Sequence, residues 1–144
     1  MSKPFVMLVD DEADFIDTMS KRLQKRDVKV LTAYNGEEAL EQVSRNRNLE
    51  VMILDVKMPG MDGLEVLTEM KKNYPLVEVI MLTGHATIES AIEGMKAGAF
   101  DYLMKPCDLD QLMEKVQEAV NKRKAQEEKI EKARMEKIIS SRGV

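Results

Sequence analysis

Asp10-Asp11, Asp55, Thr83 and Lys105-Pro106 are the residues of this 144-residue chain whose types and spacing could do chemistry. Each group follows a short run of mostly apolar, β-favouring residues, at 5–9, 51–54, 77–82 and 100–104. If those runs are parallel strands, the four groups meet at one edge of one sheet, where open α/β sheets carry their sites. Three carboxylates then stand beside one ammonium and one hydroxyl. Like charges that close oppose each other's ionisation. A bound divalent cation removes the conflict, so the pattern points to a metal held by carboxylates and to chemistry on an aspartate.

The rest of the chain supplies the elements such a site needs, because strand-like runs alternate with amphipathic helical patterns. Ile16, Met19, Ser20 and Leu23 mark one helix face, and 28–33 reads as a second strand. Asn35-Gly36 turns the chain into a helix that faces inward through Ala39, Leu40 and Val43. The all-apolar run 51–54 suits a central parallel strand buried on both faces. A loop with Pro59, Gly60 and Gly63 leads to a helix with Leu64, Leu67 and Met70 inward, ended by Asn73-Tyr74-Pro75. After 77–82, the spacing of Ile88, Ala91, Ile92 and Met95 predicts the buried face of the next helix, with Gly98 as its C-terminal cap. The last helix starts near Asp108, a residue type favoured at N-caps. It buries Leu109, Leu112, Met113, Val116 and Val120. Five βα units predict a doubly wound, five-stranded parallel sheet with helices on both faces and right-handed crossovers.

Composition narrows the function. One Cys excludes an intramolecular disulfide and a Cys-rich zinc site. The start, Met1-Ser2-Lys3-Pro4, has no signal-peptide pattern, and the apolar runs are too short to span a bilayer. A cytoplasmic protein without a membrane partner is the expectation. The net charge of −4 is unevenly spread: residues 121–144 hold eight Lys/Arg and four Glu, leaving −8 on the first 120. An acidic domain whose mildly basic tail interleaves both signs is not the footprint of direct nucleic-acid binding.

In order and spacing, Asp10-Asp11-Glu12, Asp55 with Met58-Pro59-Gly60-Met61-Asp62-Gly63, Thr83-Gly84 and Lys105-Pro106 resemble the receiver domain of bacterial two-component response regulators. The resemblance covers about residues 4–122. It implies a flavodoxin-like sheet of strand order 2-1-3-4-5, a receiver domain over 1–122 and a charged helical tail or linker over 123–144. The text around Asp55 and Thr83 looks like receivers of the nitrogen-regulation type, which commonly precede an ATPase that drives transcription.

The resemblance also assigns roles. Asp55 is implied to be the phosphoacceptor, taking a phosphoryl group from a sensor histidine kinase or phosphotransfer protein. A carboxylate is a competent nucleophile for this, and the transfer needs positioning and charge neutralisation above all. The implied cofactor is Mg²⁺, a hard cation that prefers oxygen ligands. Asp11 and Asp55 would bind it directly, Asp10 largely through water, and Lys57 through its main-chain carbonyl. Lys105 is implied to pair with the phosphoryl oxygens and, before phosphorylation, with Asp55. Its bond to Pro106 is expected to be cis, a form that proline tolerates. Thr83 and Tyr102 are implied as the switch, with the hydroxyl moving to the phosphoryl group and the aromatic turning inward. The output is then a change in contacts with an effector or output domain, or a homodimer, on the face of the fourth helix, fifth strand and fifth helix. The chain would be no enzyme toward other substrates, only a catalyst of its own phosphorylation and slow dephosphorylation.

Blander readings stand beside these. Each acidic residue alone suits a turn or cap, and an edge-strand aromatic such as Tyr102 often only packs. His85 reads as a partly exposed loop histidine, with water access to the phosphoryl group as its functional alternative. Cys107 reads as a small buried hydrophobe. A heptad through Val116, Ala119, Arg123, Gln126, Ile130, Ala133 and Lys137 has three polar seam positions, which weakens a coiled coil. A haloacid-dehalogenase-like phosphatase needs two aspartates two residues apart after the first strand, whereas Asp10 and Asp11 are adjacent. A flavin-binding relative of the fold lacks support, because no Ser/Thr-rich phosphate loop follows that strand. A degenerate receiver that binds partners without phosphorylation is the remaining alternative.

Overall fold

The computed structural model describes residues 3–141. Its elements run β1 (Phe5–Val9), α1 (Ala13–Lys25), β2 (Lys29–Ala33), α2 (Gly36–Arg45), β3 (Val51–Leu54), α3 (Gly63–Asn73), β4 (Glu78–Thr83), α4 (Ile88–Lys96), β5 (Asp101–Met104) and α5 (Leu109–Ser141). All four strand pairings are parallel, in the order β2-β1-β3-β4-β5. Side chains alternate across a strand, and β1 displays the result. Phe5, Met7 and Val9 join a core with α2 and α3, while Val6 and Leu8 join a core with α1 and α5. β1, β3 and β4 are buried along their whole length, which is why they read as near-continuous apolar runs.

Strand limits differ from the sequence reading by one residue in four places, the starts of β2, β4 and β5 and the end of β4. The Val28 N–H turns back to the Leu23 carbonyl and the Val77 N–H to that of Tyr74, so both residues belong to turns. Thr83 is the last residue of β4 rather than the first beyond it, because it pairs with Met104 in the ladder. Helix starts follow local rules. Asn35 and Asp62 accept the N–H groups of Glu38 and Glu65, three residues on. Gly98 follows α4 with φ 103°, in the left-handed region that glycine enters without strain.

One expected face is reversed. Ile88, Ile92 and Met95 of α4 are 81%, 49% and 47% exposed, and Gly94 is the only buried residue of that helix. Periodicity found the stripe correctly but could not give its direction. The sheet beside α4 ends at β5, so the helix has a narrow surface to cover and small residues meet it. In α3 the inward face is Gly63, Val66, Leu67 and Met70, with Leu64 half-buried.

α5 is a single helix of 33 residues. Its buried stripe, Leu112, Val116, Ala119 and Val120, stops where the domain stops. Beyond it, Ile130, Met135, Ile138 and Ile139 are exposed. Two cations fasten the helix at this exit. Lys122 lies 3.0 Å from the buried carboxylate of Glu78, and Arg123 donates to the Leu49 carbonyl and to Glu127. Among the described residues no helix is long and apolar enough to cross a membrane.

Candidate functional site: a carboxylate cluster at the sheet edge

The parallel ladder carries the chemistry-bearing residues to one edge. The Asp55 N–H bonds to the Val9 carbonyl at 3.0 Å, that of Asp10 to Ala33 at 3.1 Å, and that of Lys105 to Thr83 at 2.9 Å. Backbone pairing thus fixes neighbouring strand ends against one another before any side chain acts. Asp10 and Asp55 are each 2% exposed, while Asp11 faces solvent. One carboxylate oxygen from each of the three lies within 4.8 Å of the other two. The Lys105–Pro106 peptide is cis.

Gly63 holds α3 against this cluster. Its N–H donates to the Val56 carbonyl at 2.8 Å, and a Cβ at this position would sit 2.2 Å from the Asp55 carbonyl oxygen. No side chain fits between the start of α3 and the residue that follows β3. An open cavity of about 690 Å³ leads to the cluster, with Asp11, Glu12, Lys57, Pro59, Asp62 and His85 in its wall.

The electrostatics are uneven. Lys105 Nζ binds Asp10 Oδ2 at 2.6 Å and reaches Glu12 at 3.3 Å. Pairing of Lys105 with Asp55, as the family resemblance implies, is therefore not the arrangement found. The ammonium lies 4.0 Å from the centroid of the Phe15 ring on α1, which places it on the Asp10 and Glu12 side of the cluster. Burial pulls the Lys105 pKa down, but its bond to Asp10 and the fields of Asp10 and Asp55 prevail and raise it above the ordinary lysine value. Asp10 is also raised, by burial first and the Asp55 charge besides, against the pull of Lys105 and the Glu12 N–H. Of this pair, the charge on Asp10 is the one the site strains to keep. Asp55 Oδ1 is buried with no hydrogen-bond partner among the described residues. A buried carboxylate oxygen without a partner is costly. Oxygen-only donors around such an atom fit a hard divalent cation such as Mg²⁺.

Thr83 is fully buried, and its Oγ1 accepts the His85 N–H at 3.0 Å. Tyr102 sits half-buried on β5, two residues below the Thr83 level, paired with Met81. Its hydroxyl lies 2.6 Å from Ser90 Oγ. Nothing in the sequence reading singled out Ser90, although the Thr87-x-x-Ser90 spacing is that of a helix start. His85 is exposed at the cavity wall. Cys107 is half-buried rather than buried, with burial raising its thiol pKa. The Lys57 side chain is exposed on the loop after β3.

Fold and site together define a doubly wound α/β domain with a carboxylate and lysine cluster where its strand order reverses. Residues 6–117 match the family model described as the response regulator receiver domain, and the chain belongs to that family. It is 34% identical over 121 residues to the DNA-binding transcriptional regulator NtrC of Escherichia coli K12, covering 84% of this chain and 26% of that protein. It is 36% identical over 115 residues to the transcriptional regulatory protein ZraR of Salmonella typhimurium, covering 80% and 26%. The chain therefore spans about a quarter of the length of these relatives. The crystal structure of a receiver domain protein from Clostridium thermocellum superposes with a TM-score of 0.81 at 36% identity, covering 85% of this chain and 98% of that one.

Proposed function

We propose that the chain is a phosphorylation-switched receiver that accepts a phosphoryl group on Asp55. The observation that carries this is the buried, unpartnered Asp55 Oδ1 beside Asp10 and Asp11. Burial at the end of β3 fixes the position of this carboxylate, which supports its use as the nucleophile. The donor would be the phosphohistidine of a sensor kinase or of a phosphotransfer protein. Its P–N bond breaks as the Asp55 O–P bond forms.

Mg²⁺ held by Asp11, Asp55 and the Lys57 carbonyl, with Asp10 through water, would neutralise charge on the phosphoryl oxygens. Lys105 is already ionised at the edge of the cluster and can swing from Asp10 to a phosphoryl oxygen as a point charge. Thr83 Oγ1 accepts the His85 N–H, so its own proton remains to be donated to the new group. Water reaching Asp55 through the cavity would return the carboxylate, with the chain as the catalyst of that slow step.

The output face is α4, β5 and α5. Ile88, Ile92, Met95 and Met104 leave apolar surface exposed there, which supports contact with an output domain, an effector or a second copy. The similarity to NtrC and ZraR supports a place among receivers that precede a transcription-driving ATPase.

Intact mass after incubation with acetyl phosphate, with and without Mg²⁺, tests the reading. One phosphoryl group gained only with Mg²⁺, and none in Asp55→Asn, is the expected result. A phosphoryl group retained by Asp55→Asn would overturn it.

A further inference from the structure

The Tyr102 phenol, 2.6 Å from Ser90 Oγ, shares that oxygen with the start of α4. The same Oγ accepts the Thr87 N–H at 3.1 Å, lies 3.0 Å from Thr87 Oγ1 and donates within reach of the Thr87 carbonyl at 3.1 Å. Thr87 Oγ1 in turn accepts the Ser90 N–H at 3.0 Å. A serine hydroxyl has one proton and two lone pairs. Four neighbours thus contend for three places, and Tyr102 is one of the four. One turn further along the same face is Gly94. A Cβ there would stand 3.5 Å from Tyr102 Cδ2, so the ring lies close over bare helix backbone.

We propose that Ser90 is a positioning residue that ties the Tyr102 phenol to the first turn of α4, so that the ring and the helix start move as one unit. The proposal deepens the switch reading given above and rests on it for its biological meaning. Its physical content is separate. α4 buries only Gly94, so little else anchors its N-terminal turn from the domain side. Withdrawal of the ring takes a partner from Ser90, and melting of the first turn takes one from Tyr102.

The test uses the full chain without phosphodonor. Amide hydrogen exchange is measured at Ser90 and Ala91, and Tyr102 ring resonances are followed in tyrosine-labelled protein. Tyr102→Phe leaves every hydroxyl of the helix cap intact. It should nonetheless speed exchange at those amides about fivefold, the population shift held by one hydrogen bond of ordinary net strength. Ser90→Ala should speed the same amides and move the Tyr102 ring resonances. Ser90→Thr should restore both, and the double variant should add little to either single one. Exchange unchanged in Tyr102→Phe, or additive effects in the double variant, would overturn the tie. A separate incubation of the same proteins with acetyl phosphate and Mg²⁺, read by intact mass, decides the phosphoacceptor reading independently. If wild type gains none while the exchange coupling holds, the tie stands and the receiver mechanism fails.

Discussion

α3 and α4 follow adjacent strands and are of similar length, 11 and 9 residues, yet they are held in opposite ways. α3 buries Val66, Leu67 and Met70, and its first residue is pressed against the Asp55 backbone. α4 buries a glycine and turns its isoleucines to solvent. The first helix behaves as part of the site's foundation. The second is fastened mainly at its cap and through Tyr102. The contrast separates a helix held by buried apolar contact from one that opens more readily, since opening free energy follows buried apolar contact.

The contrast can be broken or sharpened by experiment, starting with the largest expected effect. Gly63→Val should abolish cooperative folding or lower the urea midpoint severely. The Cβ clash is with backbone, so its cost should exceed the ~1–3 kcal/mol usual for overpacking. Met70→Ala should cost ~2–5 kcal/mol in the same denaturation, as for other fully buried side chains cut to alanine. Thr87→Ala should cost about 1 kcal/mol, the usual loss of a helix cap. Its hydrogen-exchange footprint should be confined to α4. Ile92→Ser on the exposed stripe should change stability by no more than about 0.5 kcal/mol. A large loss there would mean that the α4 stripe is packed in solution and that the contrast is wrong.

The five βα units, the clustering of Asp10, Asp11 and Asp55, and the cap role of Gly98 were legible because they depend on local patterns repeated along the chain, whereas the strand order came from the family resemblance and is the one observed. Runs such as Val51–Leu54 allow few alternatives. Four things were not legible, each for a physical reason. The inward side of α4 depends on how much sheet lies beneath it, and Ile88, Ile92 and Met95 have the same period whichever way they point. The partner of Lys105 depends on where Phe15 places its ring, nearly a hundred residues away in sequence. The role of Ser90 depends on a tyrosine from the next strand. The glycine at position 63 announced a loop, but its closeness to Asp55 is a property of the packed chain alone.

α5 runs on past Val120 to Ser141. At 1.5 Å per residue that overhang is about 31 Å long. It leaves the domain where Glu78 and the Leu49 carbonyl grip Lys122 and Arg123. Geometry turns this into an amplifier. A tilt of about 5° at the grip swings the far end by about 3 Å, roughly two residues of helical rise. A rearrangement too small to repack the core would still displace the tip by more than the rise of one residue.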